Sequence, residues 1–195
     1  EDMVLSRQTH TTNIRLVTEK DRGKGLVRPR DYEDVDGLIT AEPGVVLVTH
    51  YADCVPLFFV DKEKHVIGLA HSGWRGTAAG MGARMTEAMG EAFGSKPENL
   101  AAVIGPSICQ DCYEVSEEVA EQFTQFPGAV KAGKQPGKYQ LNLWEANRQI
   151  LRKAGLLEEH IAVAGICTCC NSDLLFSHRA TGGKRGLLGA FLALG

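Results

Sequence analysis

A cysteine and a histidine, each at the end of an apolar run, are the side chains in this sequence best suited to chemistry. Cys54 precedes the apolar stretch 55–60, His71 follows the stretch 65–70, and a charged turn at 61–64 separates the two stretches. An antiparallel hairpin of this length returns the chain to its starting point, so we expect Cys54 and His71 to meet at one end of a sheet. Cysteine and histidine brought together serve either as metal ligands or as a nucleophile with its base.

A metal site built on this pair needs a third ligand. His10 lies in a polar break between two extended segments, which suits a ligand at a sheet end, and His178 stands beside Arg179. The remaining histidines fall along a strand, near a turn or in a charged surface stretch: His50, His65 and His160. Spacing alone leaves His10 and His178 as open alternatives.

Two charged neighbours extend this candidate site. Asp53 is a carboxylate inside an apolar run, and we predict that it orients a ligand or accepts a proton. Arg75 lies in the segment 71–76, between a strand and a helix, where glycines allow tight turns and a helix N-terminus offers free N–H groups. It is suited to binding a phosphate or carboxylate, the alternative being a surface arginine shielded by Trp74.

The other cysteines form two short clusters. Cys109 and Cys112 are a C-x-x-C, and the second cluster, from Cys167 to Cys170, is a C-x-C-C. A structural zinc site from both clusters is conceivable, but the second lacks the usual C-x-x-C spacing, and free cysteine is often simply a small buried apolar residue. We therefore favour ordinary reduced thiols.

Length and composition indicate one domain with an ordinary core. The 195 residues carry a net charge of −3, which gives no indication of a nucleic-acid or membrane surface. No apolar stretch approaches the roughly 18 residues of a membrane span. No secretory signal is visible, which favours a cytoplasmic location. Because the chain begins at Glu1 rather than a methionine, we expect that an N-terminal segment is lacking.

The pattern of elements favours an α+β fold. Strands and helices alternate, but not as strict βαβ units. The predicted strands are an extended segment over 4–18, then 36–39, 45–50, 55–60, 65–70, 101–104, 161–166 and 187–194; the predicted helices are 77–93, 117–126 and one that opens at Asn142 and stops at Gly155.

Several of these motifs carry a resemblance to a known family. The sequence resembles the YfiH-like family, also called the laccase-domain or multicopper polyphenol oxidase family. The matching segments follow the family's order from residue 7 to the C-terminus: 7–10, 36–40, 52–56, 71–76, 105–108, 112–115, 167–168 and 176–179. The pair Ala-Asp-Cys and His-x-Gly-Trp-Arg-Gly is its most specific part.

The resemblance implies a ligand set, a fold and an activity. It implies that His10, Cys54 and His71 bind a metal ion. It also implies an α/β sandwich with a mixed sheet, similar to the catalytic domain of cytotoxic necrotizing factor. The implied substrates are purine nucleosides and phosphate: phosphorolysis of adenosine, inosine, guanosine and methylthioadenosine, with deamination of adenosine. Family members have a further N-terminal segment with a loop near the site.

The residue types favour zinc over copper. Multi-copper oxidation of phenols needs several metal centres built from many histidines, and this chain has six in total. A His/Cys/His site with one open position suits catalytic zinc, with Arg75 and Arg179 as candidate phosphate ligands. The alternatives are a metal-free hydrolase or deamidase in which Cys54 attacks and His71 accepts its proton, a laccase, and a non-catalytic partner-binding domain.

Overall fold

Three β-sheets and four α-helices form the structure, a computed structural model that describes residues 1–195. The strands are β1 (Met3–Leu5), β2 (Ile14–Leu16), β3 (Gly37–Thr40), β4 (Val46–Tyr51), β5 (Val55–Asp61), β6 (Val66–Ser72), β7 (Leu100–Ile104), β8 (Glu114–Ser116), β9 (Val130–Ala132), β10 (Lys138–Leu141), β11 (Ile161–Val163) and β12 (Leu188–Ala193). The helices are α1 (Trp74–Ala78), α2 (Met81–Phe93), α3 (Glu117–Glu121) and α4 (Leu143–Lys153).

A hairpin of β5 and β6 lies at the centre of the largest sheet. This sheet has the order β11-β7-β5-β6-β3-β2, with antiparallel pairs in the middle and parallel pairs at both edges. Asp61 closes the hairpin because its carboxylate accepts hydrogen bonds from the backbone N–H groups of Glu63 and Lys64. At the open end Pro56 pairs with His71, so the predicted return of the chain from Cys54 to His71 is confirmed.

Both faces of this sheet are covered. Helices α2 and α4 pack on one face, where Met81, Met85 and Met89 are fully buried at helical spacing. A second sheet of order β1-β4-β12 covers the other face through residues such as Leu47 and Tyr51. The fold is a mixed α/β architecture with several mixed sheets, as the predicted class requires, and the likeness to the necrotizing factor domain stays a prediction.

The differences from the predicted elements are local. The helix predicted over 77–93 begins at Trp74 and is divided in two, because Gly80 adopts a left-handed conformation with φ 78°. The helix predicted over 117–126 ends at Glu121. A small sheet of order β8-β10-β9 was not predicted, since strands of three or four residues are too short to show a periodicity. None of the helices has the length and apolar character needed to cross a membrane.

Candidate metal and active site

His10, Cys54 and His71 come together although they belong to three separate elements. His10 lies in the loop between β1 and β2, Cys54 immediately precedes β5, and His71 is in β6. A ring nitrogen of each histidine and the Cys54 Sγ all lie within 4.8 Å of one another. His178 packs instead near Gly183 and is not part of this group. The structure therefore brings together the ligand set that the family resemblance implies.

Asp36 positions two of these three side chains. It is fully buried just before β3, and its Oδ1 lies 2.7 Å from His71 Nδ1 and accepts a hydrogen bond from the His10 backbone N–H at 3.1 Å. Its Oδ2 accepts from the N–H groups of Thr9 and Thr11, each at 3.0 Å. The loop thus wraps around one carboxylate, which holds His10 at φ 68°, an uncommon conformation for a residue other than glycine.

Hydrogen bonds shift the pKa values of two of the three side chains, His71 and Cys54. Burial alone lowers the pKa of His71, but hydrogen bonds with Asp36 and Cys54 outweigh it and raise this pKa to about 9. Burial raises the pKa of the Cys54 thiol, but hydrogen bonds with His10 and His71 outweigh that effect and lower it to about 6. Cys54 is therefore in the thiolate form at neutral pH, which is the form that binds metals and attacks electrophiles.

Asp53 accepts hydrogen bonds from the C-terminal part of the chain rather than from a candidate ligand. It adopts φ 84°, and its carboxylate accepts a hydrogen bond from Thr168 Oγ1 and one from the Arg179 backbone N–H, both at 2.7 Å. It thus fastens the C-terminal part of the chain beside Cys54. The orienting contact to a ligand, which the sequence assigned to Asp53, is made by Asp36. Proton transfer by Asp53 stays a prediction.

The three candidate ligands open onto one cavity of about 320 Å³. Three arginines also line it: Arg7, Arg30 and Arg185. Arg7 is paired with Glu33 at 2.8 Å, whereas Arg30 and Arg185 form no ion pair. Sequence reasoning missed both of these residues, because they lie in glycine-rich loops without a motif and reach the cavity only through tertiary packing.

The two arginines singled out from the sequence lie elsewhere. The Arg75 guanidinium stacks on the Trp74 ring, 4.2 Å from its centroid, and lines a different cavity with Gln122. The Arg179 guanidinium donates hydrogen bonds to the carbonyl oxygens of Cys112 and Glu114. Phosphate binding by Arg75 and Arg179 stays a prediction, and the Arg75 geometry matches the alternative of an arginine stacked on Trp74.

The donor set fits a catalytic zinc ion. Two imidazoles and one thiolate are typical zinc ligands, and three protein ligands leave one coordination position for water or substrate. Because Asp36 holds Nδ1 of His71, the other ring nitrogen is left for the ion, as in many zinc sites. A multi-copper cluster fits poorly, since only one further histidine, His50, lines the cavity.

These features define a mixed α/β protein that gathers two histidines and a cysteine at a cavity. A family model described as multi-copper polyphenol oxidoreductase laccase matches residues 1–195, and the chain belongs to this family. The family resemblance found in the sequence is therefore confirmed.

Two relatives of this chain carry the names of nucleoside-processing enzymes. The chain is 41% identical over 201 residues to "Purine nucleoside phosphorylase YlmD" of Bacillus subtilis, covering 100% of this chain and 71% of that protein. It is 34% identical over 191 residues to "Adenosine deaminase RL5" of an unknown prokaryotic organism, covering 95% and 71%. The crystal structure of YlmD from Geobacillus stearothermophilus superposes with a TM-score of 0.91 at 38% identity, covering 100% of this chain and 74% of that one.

Replacing Asp36 by asparagine tests its positioning role. In the wild-type protein both carboxylate oxygens of Asp36 accept hydrogen bonds. In Asp36→Asn one of them is replaced by an NH₂ group, a donor that faces other donors. We therefore expect a loss of about 2–4 kcal/mol in the free energy of unfolding, measured by urea denaturation. Zinc affinity should fall about 10–100-fold. The matched control is Asp34→Asn. Asp34 is exposed and its Oδ1 accepts a hydrogen bond from Thr9 Oγ1 at 2.7 Å, which the asparagine oxygen can also accept, so both quantities should stay nearly unchanged. Equal effects in the two variants would contradict this role.

Gly73 tests how tightly the site is packed. Its backbone suits any residue at φ −70°, but a Cβ there would lie 2.9 Å from Cys54 Sγ and 3.2 Å from His10 Cδ2. We expect Gly73→Ala to lower zinc affinity at least about tenfold while the circular dichroism spectrum is retained. Gly76→Ala is the control, because its Cβ would approach no atom closer than 3.5 Å. Unchanged zinc affinity in Gly73→Ala would contradict the assignment.

Proposed function

We propose that this protein is a zinc-dependent purine nucleoside phosphorylase that also deaminates adenosine. One observation carries the proposal: the cluster of His10, Cys54 and His71 opens onto a cavity that also holds two arginines without an acidic partner, Arg30 and Arg185. A candidate metal site and a candidate anion site thus face the same cavity. The names of the relatives, which include phosphorylases and a deaminase, support the same substrate class.

The roles of the residues follow from their positions. His10, Cys54 and His71 would hold the zinc ion, which when bound supplies a Lewis acid beside the substrate and lowers the pKa of water. Asp36 keeps the His71 ring fixed, so that no reorientation is needed when substrate arrives. Asp53 keeps the neighbouring C-terminal segment in place.

Arg30 and Arg185 would bind the phosphate. In phosphorolysis a phosphate oxygen forms a bond to the ribose C1′ while the bond from C1′ to the purine nitrogen breaks, giving ribose 1-phosphate and the free base. Guanidinium groups neutralise the phosphate and direct one oxygen at C1′. In deamination water adds at purine C6 and ammonia leaves, so that reaction needs no phosphate. Inosine, guanosine, adenosine and methylthioadenosine are the proposed substrates, and the cytoplasm is the proposed location.

A metal-free cysteine hydrolase or deamidase is the second candidate. It is favoured by the lowered pKa of Cys54 beside the raised pKa of His71, since a thiolate next to a protonated imidazole is the ready state of a cysteine nucleophile. In this reaction Cys54 attacks a carbonyl carbon and His71 donates the proton to the leaving group.

One experiment separates the two candidates. Zinc-loaded protein incubated with inosine should release hypoxanthine only when phosphate is present, and adenosine should give inosine without phosphate, both measured by chromatography. Chelation and Cys54→Ala should abolish both reactions, and iodoacetamide should label Cys54 rapidly only after chelation. Zinc-loaded protein without nucleoside turnover would refute the phosphorylase. Rapid labelling that zinc does not slow would support the hydrolase.

The phosphate-binding role of Arg30 and Arg185 is tested by comparing the KM for phosphate among arginine variants. We expect Arg30→Gln and Arg185→Gln each to raise the KM for phosphate about 10–100-fold, because each removes a charged hydrogen bond, and to leave the rate of adenosine deamination unchanged. Arg84→Gln, at an exposed pair with Glu87, is the control. A larger rise in the KM for phosphate in Arg75→Gln would instead support the interpretation from the sequence.

A further inference from the structure

A second cluster of metal-binding side chains lies outside the site described above. The Sγ atoms of Cys109, Cys112, Cys167 and Cys170 all lie within 4.8 Å of one another, and those of Cys112 and Cys170 are 3.5 Å apart. All four cysteines are free thiols. Nothing in the proposed reaction uses this cluster.

Sheet topology explains why the two cysteine pairs meet. Strands β7 and β11 are adjacent and parallel, so the chain leaves both of them at the same edge of the sheet. The two following loops are then joined by backbone hydrogen bonds, from the Ser107 N–H to the Ile166 carbonyl and from the Thr168 N–H to the Ser107 carbonyl. The cysteines that follow on each loop face one another as a result.

The spacing in the second loop corrects the interpretation made from the sequence. The motif 167–170 does contain a C-x-x-C, because the cluster uses its first and last cysteines and leaves Cys169 out. Both loops therefore contribute a C-x-x-C, the spacing typical of four-cysteine zinc sites. The pair Cys167 and Cys170 is hard to recognise in the sequence because Cys169 stands next to Cys170.

The arrangement of the four sulfurs suits a tetrahedrally coordinated metal ion. Four thiolates at about 2.3 Å from zinc lie about 3.8 Å from one another. In this cluster Cys112 Sγ and Cys170 Sγ are 3.5 Å apart, and no two of the four sulfurs are more than 4.8 Å apart. The backbone N–H groups of Cys109 and Cys170 point at Cys167 Sγ, at 3.2 and 3.4 Å, and such donors stabilise a thiolate ligand. A disulfide would require two sulfurs at about 2.05 Å, and no pair here is that close.

We propose that Cys109, Cys112, Cys167 and Cys170 bind a structural zinc ion that fastens the C-terminal segment, residues 164–187, to the fold. This segment contains no helix or strand, and most of its side chains are exposed. It nevertheless supplies Thr168 and the Arg179 backbone N–H to Asp53, the residue before Cys54. The ion therefore supports the active site indirectly, by holding the segment that packs against Asp53.

Metal analysis of matched variants tests the four-cysteine site separately from the catalytic one. The wild-type protein should contain about two zinc ions per chain, and both Cys54→Ala and the double variant Cys112→Ser/Cys170→Ser about one. Cys169→Ser is the matched control, because it changes a cysteine of the same loop that lies outside the cluster, and it should retain both ions. The double variant should also be cleaved faster within 164–187 in limited proteolysis.

Cobalt substitution of Cys54→Ala gives a readout that does not depend on the double variant folding. Cobalt-substituted Cys54→Ala should show the intense sulfur-to-cobalt charge-transfer bands of a tetrahedral site with four thiolates. These bands should be absent from the triple variant Cys54→Ala/Cys112→Ser/Cys170→Ser. Three results would each overturn the proposal. They are iron rather than zinc in the purified protein, a disulfide between any two of the four cysteines, and Cys54→Ala protein that binds no metal. Because the test uses protein without Cys54, its outcome is independent of the nucleoside reaction.

Discussion

The carboxylate of Asp36 is the contact on which the candidate site depends. Burying a charged group is costly unless donors surround it, and here backbone N–H groups of the loop 9–11 and the His71 ring supply them. The His71 backbone N–H also donates to the Asp36 carbonyl at 2.8 Å, so the sheet register and the side-chain contact reinforce one another. One residue thereby fixes a strand, a loop and two ligands. The lowered pKa of Asp36, which results from these hydrogen bonds outweighing burial, keeps it ionised.

The parts of this arrangement that are local in sequence could be predicted. The hairpin that joins Cys54 to His71 follows from two apolar runs around a charged turn, and the helix α4 from Asn142, which caps it through the Glu145 N–H. The choice of His10 over His178 could not be made from spacing, because it depends on a hydrogen bond to a residue 26 positions away. Arg30 and Arg185 were missed for the same reason: only packing of distant loops places them at the cavity.

Two buried carboxylates divide the work of holding the site. Asp36 binds the loop that carries His10, and Asp53 binds the segment that carries Thr168 and Arg179. Each carboxylate has a residue in a left-handed conformation beside it or as part of it: His10 at Asp36, and Asp53 itself. Backbone strain of this kind is retained where surrounding hydrogen bonds outweigh it. A carboxylate in an apolar run therefore indicates anchoring of a remote segment as readily as it indicates catalysis.

The order of the contributing residues along the chain has a consequence for folding. The three candidate ligands and Asp36 all lie before the end of β6, whereas the partners of Asp53 lie 115 and 126 residues away from it. During synthesis the ligand cluster therefore emerges from the ribosome well before the chain that closes over it. Strand β12, which pairs with β4, also belongs to the last-made part. The site is therefore complete only when the last-made residues have docked, because Asp53 beside Cys54 lacks its Thr168 and Arg179 partners until then.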